Sequence, residues 1–298
     1  MPNAREIQSR MKSIQDTMKI TNAMYMISSS KLKKAKKTLA DTEPYFYMLQ
    51  STIGRILRHF PELRNQYFDQ RSEIPDNERK IAYIVITADK GLAGAYNHNI
   101  IKLAEESLEK NEKNKLFIVG ELGRQYFSKA DVDVEENFQF VVQSPSMSRA
   151  RNIAERVMQM YIDRQVDEVK IIYTRMVSAM ETDTEVQEIL PLTRGNFNAV
   201  KLPIDVHMEE IKMYPSPAEV INNIVPNYVA GFIYGALVES YSSEQNSRMM
   251  AMQAATNSAQ RMLKELSLIY NRVRQAAITQ EITEVVGGAK AQKKKKLS

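Results

Sequence analysis

The chain has 298 residues, of which 26% are charged, with a formal net charge of +5 and no cysteine. That length allows one or two domains, the missing cysteines exclude disulfides and thiolate chemistry and suit a reducing compartment, and no run of about 18 apolar residues reads as a membrane span. The positive charge is concentrated: in residues 1–40 nine basic side chains are opposed only by Glu6 and Asp16, so this arm should seek an acidic partner.

The first predicted element is a long helix. From Ile7 an apolar series runs through Met11, Ile14, Met18, Thr21, Tyr25, Ser28, Leu32, Ala35, Leu39, Thr42, Phe46, Leu49, Ile53 and Ile56 to Phe60 in alternating steps of three and four. A period of 3.5 residues marks helices that wind around each other left-handedly. Pro44 interrupts the stripe without shifting its phase, which predicts a kink rather than a stop, and the helix should end near His59–Pro61. The lysines from Lys31 to Lys37 could meet phosphates, but no aromatic residue is interleaved for base stacking, so a solvated or protein-facing coil surface is the simpler reading.

Short apolar runs follow at Ile81–Thr87, Leu116–Gly120 and Val169–Thr174, with a further candidate at Phe138–Val142. They read as buried strands of a parallel sheet, and the helical patterns between them (96–110, 121–130, 147–165) predict an open α/β domain. After the first strand comes Asp89-Lys90-Gly91-Leu92-Ala93-Gly94. Its glycines could admit a phosphate, but the third glycine of the dinucleotide fingerprint and the Lys-Ser/Thr end of a P-loop are missing, so a tight strand-to-helix turn is favoured. His59, His98 and His207 have no ligand spacing, and no triad or carboxylate pair stands out. Residues 186–214 read as further strands and loops ending in the proline-rich turn at Tyr214–Pro217.

The last element repeats the first. Tyr234, Val238, Tyr241, Gln245, Arg248, Met252, Ala255, Ala259, Met262, Leu266, Ile269, Val273, Ala276 and Gln280 continue the three–four alternation, and residues 236–286 hold neither Gly nor Pro. Residues 242–260 are rich in Ser, Ala, Asn, Gln and Met and offer little apolar area to grip a partner. Polar Gln245 and Arg248 on the seam should fix register or locally loosen the pair. The two helices flank a compact insert and should therefore run antiparallel, the last projecting past the start of the first. The expected divisions are a first coil helix at 1–60, an inserted α/β domain at 61–213, a second coil helix at 214–288 and a frayed Lys-rich tail at 289–298.

Three segments then identify a resemblance. Residues 5–37 around Lys19-Ile20-Thr21-Asn22-Ala23-Met24, the turn Asp89–Gly94 with Tyr96-Asn97, and above all the run from Leu268 through Tyr270-Asn271-Arg272 to Gly287-Gly288 are similar to the γ subunits of F-type ATP synthases. The resemblance implies a Rossmann-like α/β domain inserted into an antiparallel two-helix coiled coil. It implies a non-catalytic rotor that turns inside an α/β hexamer, driven by proton flow through a membrane ring of c subunits. Arg274, Gln275 and Thr279 match polar positions facing a β-subunit loop. Met24, Lys12, Lys19, Lys31 and Lys33 match the first helix where it faces β, although Met24, one place off the seam, could instead simply flank the coil. Lys90, Tyr214, Pro215 and Ser216 fall in the foot that meets ε and the ring. No cofactor, metal or nucleic acid is implied, and membrane association comes only through the complex. Without a presequence-like extension, the cytoplasmic face of a bacterial inner membrane is expected rather than a mitochondrion. The alternatives are a basic coiled-coil module binding nucleic acid or protein, told apart by steep salt dependence, and a nucleotide-binding enzyme using the glycine turn.

Overall fold

The computed structural model describes residues 4–75, 77–109, 113–130, 132–178, 181–197 and 212–296, the last six by backbone alone. His207 and the side chains of Lys293–Lys296 lie outside the described residues. Two compact units are present, Met1–Ile27 with Met249–Ser298, and Ser28–Arg248. Helix α1 (Ala4–His59) and helix α5 (Pro217–Lys296) each contribute to both.

In the larger unit the strands are β1 (Ile81–Ile86), β2 (Asn114–Val119), β3 (Glu168–Met176) and β4 (Thr182–Leu190), in the order β2-β1-β3-β4. The first three run parallel, but β4 pairs with β3 antiparallel, so the sheet is mixed. The three strands expected to run parallel do so, and the antiparallel edge is added by β4, where a short return after Met176 replaces a crossover helix. Phe138–Val142 forms no strand; Phe140 makes only an isolated bridge to Val119.

Every residue of β1 is buried, and its two faces meet different partners. Ile81, Tyr83 and Val85 pack with Ile100 and Ala104 of α2 (Tyr96–Leu108) and with Phe127 at the end of α3 (Glu121–Phe127). Ala82, Ile84 and Ile86 join a core built from α4 (Met147–Ile162), the end of α1 and the first turns of α5. Each fully buried aliphatic contributes roughly 1.5–3 kcal/mol, so Ile53, Ile56, Ile221, Val225 and Ile233 tie both long helices to the sheet in this unit.

Within the same unit the helices pass each other antiparallel. Lys34 shares a cavity with Val238 and Tyr241, and Gln50 shares another with Tyr228. Their approach is close where Phe46 meets Gly231: a Cβ on Gly231 would stand 2.0 Å from the Phe46 ring. Helix α5 opens on a Ser216 cap, whose Oγ accepts the Glu219 N–H at 3.2 Å, with Pro217 in the first turn where a missing N–H costs nothing. The helix then continues through Pro226.

In the smaller unit α1 and α5 form the only described pairing. Thr21 Oγ1 and Thr256 Oγ1 are 2.8 Å apart, and Ile7, Met252 and Ala259 are buried. Every named seam position of α1 in either unit is buried or half-buried. After Ala259 the seam of α5 keeps Leu266 and Val273, both half-buried, but changes at the positions between them. Leu263 and Tyr270 are half-buried while Met262 and Ile269 are exposed, a one-residue shift that a 3.6-residue helix accumulates against a 3.5 repeat. Ala276 and Gln280 are exposed and lie on no seam. Thr21 faces Thr256, so Ala4, seventeen residues earlier and the first described residue of α1, stands opposite Val273, seventeen later. Helix α5 runs on to Lys296, past Gly287 and Gly288, where fraying was expected. Two glycines cost about 1 kcal/mol each against alanine, and the Ala, Lys and Gln that follow are good helix formers.

Candidate functional site

Beyond Val273, α5 has no partner among the described residues, and residues 274–290 are all exposed. Arg274, Gln275 and Thr279 are therefore brought together on one bare stretch of helix. Thr279 Oγ1 donates to the Gln275 carbonyl at 2.9 Å and Thr283 Oγ1 to the Thr279 carbonyl at 2.7 Å, which removes both hydroxyls from competition with solvent. Beside these polar groups lie Ile278, Ile282, Val285 and Val286, Val285 being 72% exposed. A contiguous apolar stripe left in water marks an interaction surface. The aliphatic part of it was missed in reading the sequence, because a seam partner was assumed to continue.

The remaining candidates are dispersed. Lys12 and Lys19 are exposed on α1 in the smaller unit, Lys19 held 3.0 Å from Asp16, and Met24 is half-buried beside the seam. Lys31 and Lys33 are exposed on α1 in the larger unit. There too lie Lys90, exposed, and Tyr214, 94% exposed, with Pro215 exposed and Ser216 acting as the cap of α5.

The glycine turn uses its polar groups internally. Asp89 accepts the N–H groups of Val142 and Gln143 at 2.9 Å and that of Glu121 at 3.3 Å. The carbonyls of Lys90 and Gly91 accept from the Arg248 guanidinium at 2.9 and 3.0 Å. Arg248 in turn ion-pairs with Glu244 at 2.6 Å, and both are buried. Burial pushes the Glu244 carboxyl up, the Arg248 charge and hydrogen bond pull it down, Asp89 raises it and Lys31 lowers it. The tight-turn reading thus has a mechanism: the turn is bolted to α5 and presents Leu92, 66% exposed, to solvent. Seam residue Arg248 fastens the turn as well as lying on the helix pair. Among the described residues no group of three or more His, Cys, Asp or Glu is placed to hold a metal ion.

Residues 3–292 match the family described as ATP synthase. The ATP synthase gamma chain of Ruminiclostridium cellulolyticum is 46% identical over 294 residues, covering 97% of this chain and 98% of that one. That of Acetivibrio thermocellus is 46% identical over 298 residues, covering 98% and 100%. A sodium-ion-specific gamma chain from Acetobacterium woodii is 38% identical, covering 97% and 98%. Among solved structures, the central stalk and c-ring of the Tetrahymena thermophila mitochondrial ATP synthase includes a chain with TM-score 0.59 and 26% identity, covering 79% of this chain and 99% of that one.

Proposed function

Because the chain belongs to the ATP synthase gamma chains and is the non-catalytic rotor subunit of the central stalk, we propose that its bare tip carries torque to the catalytic β subunits of a surrounding α/β hexamer. The observation that carries this reading is the run from Arg274 to Lys290, helical, exposed and without a partner among the described residues. An isolated helix of that length is marginal in water, and a sleeve around it would supply the missing contacts. Arg274 and Gln275 engage a β loop, and Thr279 holds the same surface. Lys12, Lys19, Lys31 and Lys33, with Met24, offer the acidic faces of β a positive helix. Lys90 and the segment Tyr214–Ser216 meet ε and the c ring, through which proton flow drives rotation. No helix among the described residues is long and apolar enough to cross a membrane, so attachment to the cytoplasmic face of a bacterial inner membrane comes through the ring.

The test is purification from the native host with a tag in the 61–213 region. Subunits α, β and ε should accompany the chain, and the complex should hydrolyse ATP. Changing Arg274→Ala with Gln275→Ala should lower ATP-driven ion pumping several-fold. Exposed substitutions of this kind change stability by less than about 0.5 kcal/mol, so the melting temperature should hold. Full pumping by the double variant would remove the tip from the torque path.

A further inference from the structure

A cavity of about 490 Å³ opens in the larger unit between α1, α5 and the β3–β4 edge of the sheet. Its size is that of a small-ligand pocket. Phe46, Tyr47, Tyr173, Tyr228 and Phe232 line it, with the carboxylates Glu43 and Glu239, and among the described residues no Lys, Arg or His is in its walls. Glu43 accepts the Tyr47 hydroxyl at 2.9 Å. Glu239 is different, for its Oε2 is buried and accepts no hydrogen bond from the described residues. The cation acting on Glu239, Arg175, lies 3.8 Å from Glu185, which also takes the Tyr173 hydroxyl at 2.5 Å. Burial raises the Glu239 carboxyl above the usual carboxylate range, Arg175 and the Met176 backbone pull it back, and Glu185 and Glu43 raise it further.

A buried acceptor without a donor costs free energy, and a buried carboxylate without a cation costs more. The walls restrict what could satisfy it. An anion would meet two carboxylates. A bare metal ion would find one free oxygen in a space far larger than itself. A neutral apolar guest would leave Glu239 Oε2 without a donor. Aromatic faces attract cations through their quadrupoles, and a flexible apolar body fits the rest of the volume. We propose that this cavity binds an organic cation, an ammonium or guanidinium group carried on an apolar chain, with Glu239 as its counter-charge and the aromatic rings as its walls. The site is separate from the bare tip and does not depend on how the tip transmits torque.

The purified full chain is titrated at neutral pH with hexylammonium, and with hexanol and hexanoate as neutral and anionic controls of the same body, using saturation-transfer NMR. Hexylammonium should bind at least about fivefold more tightly than hexanol, the scale of one exposed cation–π contact, and hexanoate should not bind. Glu239→Gln should erase the preference for the amine and leave hexanol binding unchanged. Gly235→Leu, which adds a side chain to the cavity wall, should abolish binding of both. Equal affinity for amine and alcohol, no binding of any probe to the unaltered chain, or an intact preference in Glu239→Gln would each overturn the proposal. Repeating the titration on the assembled synthase separates two sources of the cation. Retained binding identifies a free amine as the ligand, and binding lost only in the complex identifies a basic side chain of a neighbouring subunit. ATP hydrolysis by the unliganded complex reads the rotor assignment independently.

Glu239→Gln carries a second expectation. A carboxyl held up by burial weakens the fold as pH rises from the ordinary carboxylate range through its raised folded value. The glutamine should therefore melt higher than the unaltered chain at pH 7.5, by roughly 2–4 °C for each kcal/mol recovered, and the gap should close below about pH 4. A lower melting temperature at pH 7.5 would mean that the carboxylate is stabilising in the folded chain.

Discussion

Arg248→Ala should lower the unfolding free energy by about 3–5 kcal/mol, the scale for stripping one partner from a buried ion pair. Its guanidinium does two jobs that nothing else nearby repeats. It neutralises Glu244 at 2.6 Å, where both side chains are less than 10% exposed, and it satisfies the carbonyls of Lys90 and Gly91. Without it, a carboxyl already raised by burial loses the largest influence that lowers it. The sign of the pH dependence follows. Glu244 rises further in the folded variant, so the deficit grows as pH climbs from the ordinary carboxylate range through that raised value, and shrinks in acid. Urea denaturation at pH 7.5 and pH 5 checks both points. Arg248→Ala with Glu244→Gln should recover part of the loss at pH 7.5, because no charge is then stranded. A loss below about 1 kcal/mol for the single variant, within the range of an exposed pair, would show that the pair is solvated.

Gly120→Ala should cost about as much by a different route. Gly120 joins β2 to α3 with φ +104°, and an added Cβ would stand 2.3 Å from the Thr87 carbonyl oxygen and 2.6 Å from Thr87 Oγ1. A side chain in that backbone region costs about 1–3 kcal/mol, and forcing the neighbouring backbone apart costs a similar amount. The crowding has a structural purpose. Gly123 N–H donates to Thr87 Oγ1 at 3.0 Å and Gly120 N–H to the Phe140 carbonyl at 2.9 Å, which locks α3 onto the ends of β1 and β2. The expected loss is about 3–5 kcal/mol, read by chemical denaturation. Gly195→Ala is the control, since its nearest neighbour is a methyl 3.8 Å away, and it should change stability by less than about 0.5 kcal/mol. Equal stability of the two variants would mean that the Thr87 contact relaxes freely.

The elements legible in the sequence were those whose own residues carry the signal. The stripe of α1 could be read through to Phe60 because each step is buried or half-buried, and β1 to β3 stood out because strands buried on both faces are continuous apolar runs. Strand β4 was read only in its second half. Its exposed edge is written TDTEVQEIL, polar at most positions, and an antiparallel edge needs no apolar outer face. The extent of the α5 seam could not be read from α5 alone, since it depends on which residues of α1 lie opposite it. The roles of Arg248 and Asp89 were hidden for a related reason. Their partners are main-chain groups, the Arg248 acceptors lying 157 and 158 positions away, and a backbone carbonyl leaves no mark in a sequence. Glu239 likewise looks like any helix glutamate until the rings around it are in place.

The offset between the described helices, with Ala4 opposite Val273, has a mechanical consequence for the smaller unit. As far as Val273 two helices resist bending together, with Thr21 against Thr256 pinning their relative slide. Past that residue a single helix carries any sideways load, and a lone rod is several times more compliant than a bonded pair. Two glycines, Gly287 and Gly288, soften it further. Under a transverse push, deflection therefore gathers in the last turns, and elastic energy is stored and returned there while the paired section stays straight.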